Sequence, residues 1–222
     1  MREAVRLDAQ NVFQCLLPNH LEDLRRSGLS NETIKRWGCY SITSDQPWVM
    51  GRLGFGHVVP PALALPILPP GRKEPDLNEV IIKPDRPRKD GKGKPIKYEM
   101  RFHSQNRIHV PLACRDRLGD PSVSLWITEG PKKAEKAAQE GLFCIAVPGV
   151  WSWLVRVASD VSFPVADFDL IEFQEREVNV VFDSDSATNP SVGLASRRLA
   201  EFLARRGAKV YRVQLPEGPD GR

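Results

Sequence analysis

Apolar positions recur along this 222-residue chain in two rhythms, and the change falls near residue 119. Over residues 21–37 they return at helical spacing in two short pieces, broken at Ser27-Gly28-Leu29-Ser30. Ser30 is placed to cap the second piece, which carries Ile34 and Trp37 on one side. Short strand-like runs follow at 39–42, 63–68, 79–83, 97–102 and 107–112. Pro and Gly clusters separate them (VVPP, LPPGRKEP, KDGKGKP), which predicts a small antiparallel sheet. The KDGKGKP stretch is expected to be polar, flexible and exposed.

After residue 119 strands and helices alternate. The pattern predicts a strand at 122–128, a helix at 131–140 with proline first, and a strand at 143–147. A PGVWSW turn and a helix come next, then a strand at 177–182. An amphipathic helix at 190–206, closed by Gly207, leads to a last strand at 208–215. Such alternation predicts a parallel sheet joined by right-handed crossovers. The fold class is therefore α/β: a parallel sheet flanked by helices over 119–222, preceded by a small α+β region over 1–118.

Composition narrows the class. Apolar residues make up 41% and charged residues 27%, close to a soluble globular average. No run reaches the roughly 18 apolar residues of a membrane span. The first residues, MREAVRLDAQN, lack the apolar core of a signal peptide, so no membrane is expected and a cytoplasmic location is. The four cysteines are scattered without a C-x-x-C pair, which argues for free, buried thiols rather than a zinc ribbon. His103 and His109 flank a strand-like run and are expected at the surface. Between Lys83 and Arg107 nine Lys or Arg stand against three acids, a local +6 in a chain of net +4, so the rest nets −2. That concentration suits a phosphate-binding surface.

The chemistry lies at two strand ends. Open parallel sheets form their sites at the carboxyl ends of strands. Here one strand runs into Glu129-Gly130 and a later one into Asp183-Ser184-Asp185. If the two are neighbours, three carboxylates meet at one rim, a hard-oxygen donor set suited to magnesium (manganese is also admissible) and to phosphoryl transfer. Glu129 could instead decorate the start of the helix after it. The aspartates have no such alternative, because Asn189 is the natural cap of the next helix.

An E-G at the end of one strand and a D-x-D at the end of a later one resemble the Toprim domain of bacterial-type and phage primases, topoisomerases and some nucleases. The segments LWITEGPKKAEKA, IAVPGVWSW, VVFDSD and LPEGPDG look closest to Toprim-like proteins of mobile elements, often joined to helicase modules. The resemblance implies that Glu129 acts as general acid/base or metal ligand and that Asp183 and Asp185 bind magnesium. It also gives Gly130 a close backbone approach, and Lys132 or Lys133 a phosphate contact; for each lysine a solvated surface position is the plainer reading. KYE at Lys97 to Glu99 is similar to an element preceding the Toprim domain in primases. By that analogy Lys97, with Lys83, Arg86 and Arg101, lines a template path. The implied function is primer synthesis for a mobile element, with single-stranded DNA as template, nucleoside triphosphates as substrates and a helicase, fused downstream or separate, as partner.

The likeness is incomplete: no zinc-binding module precedes the core, and relatives continue with further acids where this chain stops. No G-x-x-x-x-G-K-[ST] phosphate loop occurs, so the chain holds no helicase motor and is expected to be either a fragment or a minimal domain. Other readings compete. A haloacid-dehalogenase-like phosphatase is disfavoured, since only 37 residues follow Asp185. A topoisomerase needs a separate tyrosine domain. A Toprim nuclease, or a non-catalytic nucleic-acid-binding module, stays open.

Overall fold

The computed structural model describes residues 16–76, 78–102, 104–158, 161–182 and 189–215. They divide into two units: one ends at Ile67 and resumes over Glu74–Ser104, the other takes Leu68–Lys73 and the chain from Gln105 onward.

In the first unit, helix α1 (Pro18–Arg26) leads to α2 (Asn31–Trp37). The Ser30 hydroxyl caps α2 by accepting the Thr33 amide at 3.1 Å, as the sequence predicts. Strands β1 (Tyr40–Ile42), β2 (Ala62–Pro66) and β3 (Val80–Pro84) form an antiparallel sheet in the order β1-β2-β3. A helix the sequence reading missed, α3 (Pro47–Leu53), joins β1 to β2. Its signals were present: proline in the first turn, Met50 and Leu53 spaced to bury together, and Gly54 at a φ of +85° to end it.

Two expectations here need correction. The run 97–102 is no strand; it touches the sheet through a single bridge, Glu99 opposite Ile82. Glu99 is buried, and its carboxylate takes two bonds from Arg88, at 2.6 and 3.0 Å. The KDGKGKP stretch is exposed as expected but forms a closed turn. One Asp90 carboxylate oxygen accepts the amides of Lys92 and Lys94, both at 2.9 Å, and Lys89 bridges Pro95.

The second unit carries the alternating pattern. Strands β4 (Leu125–Glu129) and β5 (Cys144–Val147) are joined by α4 (Pro131–Gln139). Strands β8 (Glu177–Val181) and β9 (Lys209–Val213) are joined by α5 (Pro190–Arg205). The four strands are parallel in the order β5-β4-β8-β9. Strand periodicity sorts the faces. Leu125, Ile127, Ile145 and Val147 pack with Ala195, Leu199 and Leu203 of α5. Trp126, Cys144 and Ala146 pack with Ala134 and Ala137 of α4. The helices thus cover opposite faces, the expected α/β arrangement.

Between β5 and β8 the predicted helix is replaced by a hairpin, β6 (Leu154–Ala158) and β7 (Val161–Pro164). The segment alternates β-branched and polar residues, which suits a two-stranded ribbon better than a helical stripe. His109, expected at the surface, is fully buried. Its Nδ1 accepts the Leu68 amide at 3.3 Å, so Nε2 carries the proton and donates to Glu135 Oε1 at 3.0 Å. The His109 backbone also exchanges two bonds with Ala146 on the outer edge of β5. The run 107–112 is therefore an edge cover with one bridge, not a strand. Cys39, Cys114 and Cys144 are buried thiols, as expected.

Candidate active site at the switch point of the sheet

Chain connection reverses direction between β4 and β8. From β4 the first crossover moves outward to β5, and the next returns past β4 to β8. At such a reversal the two loops leave the carboxyl ends in opposite directions and open a crevice between them, where ligands of open α/β sheets bind. The residues at this crevice are Glu129, the last of β4, and those that follow β8.

Thr128 lies opposite Val181 on β8, and Glu129 opposite Val147 on β5. The Gly130 amide extends the ladder by donating to the Val147 carbonyl at 2.9 Å. Phe182, next after β8, is buried in the core and fixes where the chain leaves the sheet. The following residue is Asp183. Neighbouring strands lie roughly 4.8 Å apart, so the two acid-bearing strand ends are adjacent, as the reading of three convergent carboxylates requires. Asp183 and Asp185 themselves lie outside the described residues.

Glu129 belongs to the strand and not to the helix after it. The N-cap of α4 is Gly130, no side chain caps that helix, and no acid sits in its first turn. Gly130 has φ +87° and ψ 130°, a conformation that is essentially glycine's alone. A Cβ added there would meet nothing within 4 Å. The glycine is thus required by its backbone angles, and the space beside it is open among the described residues. Lys132 and Lys133 occupy the first turn of α4. The turn after β5 braces the same rim. Trp153 stacks on Phe202 of α5 at 5.7 Å, and Trp151 Nε1 donates to Ser191 Oγ at 3.1 Å. Asn189 caps α5 through the Ser191 amide at 3.1 Å, as expected.

The predicted nucleic-acid contacts Lys83, Arg86, Lys97 and Arg101 belong to the first unit. Arg86, Lys97 and Arg101 are exposed. The Lys83 ammonium meets Asp23 at 2.5 Å. Two further cations of the basic segment are engaged, Arg88 by Glu99 and, in the second unit, Arg107 by the buried Asp167. Sequence reasoning counted these charges but had no signal for their partners, which lie up to 60 residues away. Among the described residues no three His, Cys, Asp or Glu gather as a metal site. Nor is any described helix long and apolar enough to cross a membrane.

Comparison with known proteins places the fold. Residues 117–221 match a family model described as a domain of unknown function, DUF3854. An uncharacterized protein of Picosynechococcus sp. is 27% identical over 162 residues, a stretch covering 58% of this chain and 16% of that protein. The zinc-binding and RNA polymerase domains of Aquifex aeolicus primase align over 95% of this chain and 54% of theirs, with a TM-score of 0.61 at 13% identity. The E. coli primase catalytic core aligns over 96% of this chain and 72% of its own, with a TM-score of 0.58 at 18% identity. A DnaG primase catalytic domain solved with single-stranded DNA gives 0.56 at 16% identity, over 95% of this chain and 70% of that one. The chain spans only part of each of these proteins. Its fold is that of primase catalytic cores.

Proposed function

We propose that this chain is a Toprim-type nucleotidyltransferase that makes primers on single-stranded DNA, in the replication of a mobile element. One observation carries the reading: the strand ending in Glu129 and the strand leading to Asp183 are parallel neighbours at the switch point of the sheet. The primase-core fold supports it.

The donor chemistry fits magnesium, or manganese in its place: three carboxylates, with open space beside Gly130. When bound, the metal would neutralise charge on the phosphoryl oxygens. The chain's own residues do the rest. Glu129, held in the ladder next to the tight Gly130 turn, is placed to accept or return a proton at its carboxylate. Asp183 and Asp185 hold the metal, and Lys132 and Lys133 approach phosphate from the first turn of α4. Lys97, Arg86 and Arg101 offer cations to the template backbone, with Lys83 held against Asp23 until a phosphate competes for it. A helicase, fused downstream or separate, would supply the single strand.

The test is primer synthesis from nucleoside triphosphates on single-stranded DNA with magnesium. Labelled product should appear with the native sequence and drop by roughly 10²–10⁴-fold in Glu129→Gln, and comparably in Asp183→Ala. Template cut into fragments would instead establish a nuclease. Salt-sensitive binding that survives loss of all three acids, without turnover in any metal, would reduce the chain to a binding module.

A further inference from the structure

The first unit contains a cavity that neither the carboxylate rim nor the basic segment uses. It has a volume of about 220 Å³ and lies between β1 and α3. Drug-sized ligands take roughly 300–1,000 Å³, so this one suits a planar base-sized ring system, with any larger substituent left at its exposed mouth.

Its lining has a definite chemical character. Leu53 is buried in the unit's core and gives an apolar wall. Trp48 stands at the cavity with 55% of its surface exposed, so its indole face is accessible for stacking. Gln46 precedes α3 without capping it, so its amide keeps both a donor and an acceptor for a ligand. Asn78 spends its Nδ2 on Asp76, which leaves its carbonyl oxygen as a second acceptor. Arg52 is the only charged residue in the lining, and no ion pair engages it among the described residues. With one cation and no acid, the cavity selects against metals and cationic ligands. An apolar wall with an exposed indole asks for a planar ring, two amides for a hydrogen-bonding edge, and a lone guanidinium for a phosphate.

We propose that this cavity is a nucleotide-binding site, separate from the carboxylate rim: a base stacks on Trp48, its edge is read by Gln46 and Asn78, and its phosphate lies on Arg52. This rests on the nucleic-acid reading above and extends it. The nucleotide comes either free from solution or as one unstacked residue of a single strand, and the base contacts would give the chain a sequence preference.

The experiment is equilibrium binding to the full chain in EDTA, which takes divalent metal, and hence the carboxylate site, out of the measurement. The probes are the four nucleoside monophosphates, short homopolymeric single strands and ribose 5-phosphate, followed by calorimetry and tryptophan emission. The site predicts unequal affinities among the bases and quenching that vanishes in Trp48→Ala. Affinity should weaken roughly tenfold or more in that variant and also in Arg52→Gln, while ribose 5-phosphate fails to bind. Both substituted residues are exposed, so far-UV circular dichroism should stay unchanged. Binding of strands but not monophosphates would identify template as the source, and the reverse would identify free nucleotide. Equal affinities in the native chain and both variants, or no binding of any nucleotide probe, would overturn the proposal. Loss of primer synthesis alone would leave it standing.

Discussion

Glu135 of the second unit and Glu99 of the first are both buried carboxylates, and the two are held in opposite ways. In the second unit Glu135 meets His109, and both side chains are sealed, at 2% and 0% exposure. In the first unit Glu99 is as deeply buried, at 4%, but its partners Arg88 and His57 reach it from the surface, at 52% and 38%. A sealed pair has no substitute when one member is lost, since water cannot arrive. A carboxylate served from outside can exchange an arginine for solvent. The pair between α4 and the edge cover of β5 is thus one that tolerates no vacancy. The basic unit carries its charge where it can be rearranged by whatever binds.

The sharpest way to break this contrast is His109→Leu. It strands a buried carboxylate and should lower unfolding stability by about 3–5 kcal/mol, read as a shift in the urea midpoint. Arg88→Ala should cost only about 1–2 kcal/mol; equal losses in the two variants would erase the distinction. Next in size is the effect of replacing Lys92, Lys94 and Lys97 together. These exposed residues should leave the unfolding midpoint in place, yet weaken single-strand binding and flatten its salt dependence by roughly 2 in the log–log slope. Unaltered affinity would discard the basic surface.

The smallest effect concerns the buried thiols. Burial pushes Cys114 up to about 11 and Cys144 up to about 12, from an ordinary 9.0. The unfolded chain releases these protons first, so their stabilisation is complete below about pH 9 and is lost as pH rises through 11 to 12. The alkaline fall in stability should shrink in Cys144→Ala, and both thiols should resist labelling near neutral pH until urea is added.

The second unit was largely legible because β4 and β8 are each bounded by turn residues and followed by a helix. Pro131, Asn189 and Gly207 mark those helix limits to within a residue or two. The ribbon at Leu154–Ala158 and Val161–Pro164 was not legible. An exposed two-stranded element needs no continuous apolar face, so its pattern along the chain is weak. In the first unit, runs such as 97–102 carry strand-like residues, but Glu99 turns inward to Arg88 and ends the pairing after one bridge. At the candidate site the sequence yielded the acids and their order along the chain. That β4 and β8 are neighbours is a property of the crossovers, which no local pattern encodes. His109 was misplaced because a polar residue between apolar ones is normally a surface position, and its partner sits 26 residues away on α4.

The six residues Leu68–Lys73 leave the first unit, join the second and return. Leu68 alone donates its amide to His109 Nδ1 and accepts the Val110 amide at its carbonyl, at 2.8 Å. A gene fragment opened at residue 105 would therefore encode the whole parallel sheet and still lack a piece of its wall. Dissection of this chain into independently expressed halves calls for a graft of that short excursion, and no single cut supplies it.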